Sequence, residues 1–141
     1  MVPAFKYEAE LTQLPSCPPA SFKPRDCSRA FRFVYDPLTD PRNFLPKPLR
    51  HPPRNAGMMG VPSCSEWALS FFDSEASAQE RFDGMRRKFP QIATTLGTHL
   101  AAGSVSAGDG VVSSPGKGGH FELHEYATAH LTPRFTVLRA L

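Results

Sequence analysis

The chain has no long hydrophobic run. Its most apolar stretch, Trp67 to Phe72, falls far short of the roughly 20 residues a membrane helix needs, so no membrane span is expected. Cysteine is scarce and odd in number, and Cys17, Cys27 and Cys64 form neither a CxxC pair nor a disulfide framework. Unpaired thiols read most simply as a protein of a reducing cytoplasm. The opening residues MVPAFKYEAELTQLP carry acids and a proline where a secretion signal needs a basic start and an apolar run, so export by that route is not expected. A large excess of one charge is also missing. The formal net charge of +3, with a pI near 8.9, is well short of the concentrated positive patch that marks a small nucleic-acid-binding domain.

What is present suffices for a core. The 141 residues are 40% hydrophobic and 11% aromatic, with eleven Phe, which predicts one packed domain burying roughly 70% of the unfolded chain's surface. Twelve of the fifteen prolines lie in residues 1–62. Residues 1–29 therefore read as a proline-rich segment packed on or flanking the core, and residues 30–141 as a single domain. Proline lacks a backbone N–H and has a fixed φ, so 15–19 and 46–53 are expected to be extended loops.

Ala30 to Asp36 is aromatic and β-branched and ends at Asp36-Pro37, which predicts a strand with Phe31, Phe33 and Tyr35 on one face and Arg32 and Val34 on the other. Glu66 to Phe72 is apolar on both faces, as in a central strand. Asp73-Ser74-Glu75 then supplies a helix start, and Ala78, Phe82, Met85 and Phe89 follow at the spacing of one buried helix face. Arg86, Arg87 and Lys88 close that helix, where cations oppose its dipole. Short strands are expected at 98–102, 120–126 and 135–138, giving an α+β domain with a twisted, mostly antiparallel sheet, one or two helices and long proline-rich loops.

Several segments invite a chemical reading. His120, Glu122 and His124 alternate onto one strand face, but residues four apart on a strand lie roughly 13 Å apart, too far for one ion. Two of them would need outside ligands such as His99 or His130. A solvent-facing polar strand opposite Phe121 and Leu123 is the simpler account, and no metal is expected. By the same parity Glu122 is exposed and Glu125 needs a partner. Gly116-Lys117-Gly118-Gly119 precedes a strand rather than a helix, so it reads as a hairpin turn and not a phosphate loop. Cys64 could serve as a nucleophile only if a base reached it; burial is the commoner fate of a small cysteine. The loop from Arg42 to Arg54, with Lys47, Arg50 and His51, holds cations and no acid and offers phosphate contacts.

The succession Phe31-Arg32-Phe33-Val34, then Asn43 to Arg50, then Trp67 to Phe72 running into a helix resembles the small ADP-ribosyltransferase-like domains, including the RES-type toxins. In those families an Arg or His on the first strand and a Ser, Thr or Tyr on the second hold NAD, and a Glu on a later strand orients the ribose. The resemblance implies Arg32 and Ser70 as NAD-binding residues, Glu122 or Glu125 as the catalytic acid, and NAD as the substrate. A non-catalytic module that binds a protein partner, such as an antitoxin, immunity or adaptor domain, is the main alternative, drawing on the proline-fixed loops and aromatics. Nucleic-acid binding through Arg42 to Arg54 and Arg86 to Lys88 is the third.

Overall fold

The computed structural model describes residues 3–50 and 61–141. Its frame is one antiparallel sheet of six strands: β1 (Cys27–Val34), β2 (Leu69–Phe72), β3 (His99–Val105), β4 (Gly110–Val112), β5 (His120–Glu125) and β6 (Phe135–Ala140). Their spatial order is β4-β5-β2-β1-β3-β6, so β2, apolar on both faces, lies in the interior of the sheet. Among the described residues four α-helical segments accompany it: α1 (Glu8–Leu11), α2 (Lys47–Arg50), α3 (Glu75–Lys88) and α4 (Ala93–Leu96). The α+β class expected from the sequence is the observed one.

Strand alternation divides the core in two. Phe31, Phe72 and Leu100 meet Ala78 of α3, with Phe33 packed against them. On the opposite face Ala30, Val34, Leu69, Phe71, Phe121, Leu123 and Phe135 form the larger cluster, and Phe44 and Leu38 from the loop after β1 cover it. Burying one such aromatic side chain contributes roughly 1.5–3 kcal/mol, so the loop between β1 and α2 is held by the core it closes.

The long helix starts where expected, because the Ser74 side chain accepts a hydrogen bond from the Ser77 N–H. Its buried positions are Ala78 and Phe82. Phe89 is not part of that face. It follows the last helical residue, where the chain leaves the helix ahead of Pro90, and is 61% exposed. The glycine-rich segment forms the expected hairpin turn between β4 and β5, with Gly118 and Gly119 at φ of 86° and 76°.

Three expectations are corrected. Residues 47–50 form a helical turn instead of an extended loop: the Leu49 and Arg50 N–H groups donate to the Pro46 carbonyl, and Pro48 sits in the first turn, where no intrahelical donor is required. Glu66 and Trp67 belong to a 3-10 turn (Ser65–Trp67), so β2 is shorter than the apolar run. Cys17 and Cys64 are joined by a disulfide, leaving Cys27 as the free thiol. Spacing in sequence says nothing about such a non-local approach, and the pairing removes the cysteine argument for a reducing compartment. Pro52, Pro53, His51 and Arg54 lie outside the described residues.

Between residues 3 and 29 the chain meets the sheet at several points. Phe5 bridges to Tyr126, Lys23 bridges to Val112, and Leu11 is buried. Among the described residues no helix is long and apolar enough to cross a membrane.

Candidate anion-binding cleft

A cleft of about 1230 Å³, bounded by the described residues, opens between α3, α2 and the β1–β2 junction. Seven of its lining residues are cationic, namely Arg32, Lys47, Arg50, Arg81, Arg87, Lys88 and Lys117, against two acids, Glu66 and Glu80. Among the described residues none of the seven makes an ion pair, although other arginines of the chain do. The modest net charge of the chain thus conceals a strongly positive concavity, which focuses an attractive field on anions.

Arg32 forms its floor. β1 and β2 are in register only at Phe31 and Phe72, and beyond that pair the strands part. The Arg32 side chain occupies the gap: Nε donates to the Asn43 carbonyl at 2.8 Å and Nη1 to the Ser70 carbonyl at 2.7 Å. The buried Asn43 side chain fixes this arrangement, since its amide donates to the Tyr35, Pro37 and Leu38 carbonyls and its oxygen accepts from the Tyr35 N–H. The Phe44 and Phe71 rings lie beside the guanidinium at 5.9 and 5.4 Å.

This guanidinium is 5% exposed and has no carboxylate in contact among the described residues. Its pKa is lowered to about 9, chiefly by burial and then by neighbouring Arg50, with Glu125 acting the other way. Arg50 is itself depressed by burial, and its Nε is buried without a hydrogen-bond partner. Two adjacent, poorly compensated arginines are costly to maintain, and a bound anion is the group that would relieve both.

The remaining residues singled out in the sequence separate by sheet face. Ser70 lies in register with Glu122, and Phe72 with His120, so Ser70, Glu122 and His120 share the face that carries α3. Ser70 and His120 line the cleft, and cleft-lining Ser65 donates its hydroxyl to Glu122. His120 is half-buried, and burial lowers its pKa, opposed by Glu122 and reinforced by Arg81. Arg32, Ser70 and His120 therefore line one concavity, and Glu122 is joined to its wall only through the hydrogen bond from Ser65. Glu125 does not join them. It is buried on the opposite face, paired with Lys6 at 2.9 Å, and burial raises its pKa despite that partner.

His124 departs from expectation. Instead of facing solvent it is 1% exposed, its ring tilted against Phe22 at 5.7 Å, with Nε2 3.6 Å from Cys64 Sγ. Burial lowers its pKa to about 4. Neither His99, which lies near Asp36, nor His130 joins it; its sulfur neighbours come from Cys17 and Cys64. Arg81 and Lys117 also line the cleft; nothing in the local sequence of Arg81 distinguishes it from a solvated surface cation, and the glycine-rich run around Lys117 reads as a hairpin turn rather than an anion site. Comparison with protein-family models, curated proteins and solved structures returned no match.

Proposed function

We propose that the cleft binds a phosphate-bearing nucleotide, that NAD is the ligand its side chains suit best, and that the protein transfers or hydrolyses ADP-ribose. The observation that carries this reading is the buried Arg32 guanidinium with the half-buried Arg50 beside it, neither with a carboxylate in contact among the described residues, at the base of a cationic cleft. A pyrophosphate would take charge-assisted hydrogen bonds from both guanidinium groups. Ser70 then contacts the ribose side of the ligand, and Glu122 supplies negative charge nearby. When the C1′–N bond breaks, nicotinamide leaves with the bonding electrons and positive charge develops on the ribose, which the Glu122 carboxylate stabilises. Water or an acceptor hydroxyl attacks C1′ and loses its proton to solvent.

The test is nicotinamide release from NAD by the full chain, together with calorimetric binding. Glu122→Gln should abolish release and retain binding, whereas Glu125→Gln should leave release intact. Absence of both binding and release from the unmodified protein refutes the reading. One feature favours the second reading, a protein-binding module: Phe89, exposed at the cleft wall, and Leu49 of α2, 44% exposed, offer apolar contacts beside the cations. A cleft indifferent to nucleotides would favour it.

A further inference from the structure

The geometry points to a second site, independent of the cleft: a Cys17–Cys64–His124 centre that takes a soft divalent metal, zinc in the first instance, once the disulfide is reduced. The three residues converge from distant parts of the chain, the proline-rich N-terminal segment, the turn before β2, and β5, and their ligand atoms all lie within 4.8 Å of one another. His124 is the observation that marks the place. Its ring is almost completely buried, its Nδ1 has no hydrogen-bond partner, and its Nε2 is directed at the sulfurs, 3.6 Å from Cys64 Sγ. A neutral histidine beside two thiols is a ligand set that zinc favours.

The spacing agrees with metal coordination. With Zn–S near 2.3 Å and Zn–N near 2.05 Å, a tetrahedral centre places sulfur and nitrogen about 3.6 Å apart and the two sulfurs about 3.8 Å apart. The Cys64–His124 edge already has this length, so loading requires only that the bonded sulfurs move apart. A dithiol supplies two electrons and two protons and becomes a disulfide, or a phosphine supplies two electrons and becomes its oxide while water supplies the oxygen and two protons; the S–S bond breaks to give two thiols, and zinc entry releases those two protons. Water fills the fourth position. Metal-bound through Nε2, His124 carries its proton on Nδ1, which lacks an acceptor, so affinity falls about 10–100-fold below that of a site whose histidine has such support.

The test uses the full chain, reduced with a phosphine under anaerobic conditions and freed of reductant. Cobalt(II) should bind one to one with thiolate charge-transfer bands and the d–d intensity of tetrahedral geometry, and zinc should displace it. Cys17→Ser and Cys64→Ser should each remove the thiolate spectrum, and His124→Ala should weaken binding at least tenfold with altered d–d bands. Should a variant fail to fold, alkylation of the unmodified protein decides: zinc should protect Cys17 and Cys64 from maleimide while Cys27 reacts at an unchanged rate. A cobalt spectrum retained in Cys17→Ser, unaltered affinity in folded His124→Ala, or zinc without effect on alkylation overturns the proposal.

Discussion

Replacing Arg32 by Met separates a structural arginine from a binding one. The substitution leaves the Asn43 and Ser70 carbonyls without their donors, at about 1–3 kcal/mol each, so about 2–6 kcal/mol in all. Against this, the native protein carries a guanidinium whose pKa burial, and to a lesser degree Arg50, lower to about 9, well below its ordinary value, a penalty on the order of 5 kcal/mol below pH 9 at about 1.4 kcal/mol per pKa unit. Because the folded value is depressed, the penalty is fully present at neutral pH and disappears only at strongly alkaline pH. The opposing contributions nearly cancel, and Met retains contact with Phe44 and Phe71. Urea unfolding at pH 7 should therefore show stability within about 2 kcal/mol of the parent and an unchanged m-value. Affinity for inorganic pyrophosphate should fall about 10–100-fold, as expected for loss of one charge-assisted contact of 1.5–3 kcal/mol. A stability loss above about 4 kcal/mol, the range for breaking a compensated buried ion pair, would refute the reasoning.

Other consequences are simpler to measure. Ser74→Ala removes the cap of α3 and should cost about 1 kcal/mol, lowering Tm by about 3 °C in a thermal scan. Gly110 has φ of 155°, and a Cβ there would collide with the His124 backbone carbonyl, so Gly110→Ala should destabilise by at least about 2 kcal/mol in urea. Burial alone would raise the Asp109 pKa, but hydrogen bonds from Arg134 and Ser106 leave it below the usual carboxylate range. The stability it contributes is present above that range and lost as pH falls through it; Asp109→Asn should be less stable at pH 7 and show a shallower acid limb below pH 4.

The fold was largely legible because it rests on local rules. Ser74, the spacing of Ala78 and Phe82, and the cations of the last turn defined α3, and the apolar run ending at Phe72 identified an interior strand. Parity along 120–126 correctly sent Phe121 and Leu123 to the core and left Glu125 needing a partner, which Lys6 provides. Parity failed for His124, since burial on the α3 side depends on Phe22 and the Cys17–Cys64 pair, which arrive from elsewhere. The cleft was half visible. Arg32 and Ser70 came from a resemblance and Lys47 and Arg50 from an acid-free loop, but the parting of β1 from β2, which turns Arg32 into a floor, is a tertiary feature without a local signature.

The most direct measurement is a calorimetric titration of the full chain with NAD, run in parallel on Arg50→Gln at low and moderate salt. The account predicts one-to-one binding by the parent, weaker at higher salt, and at least tenfold weaker in the variant. Equal affinity in the two proteins, or no binding by either, would contradict it.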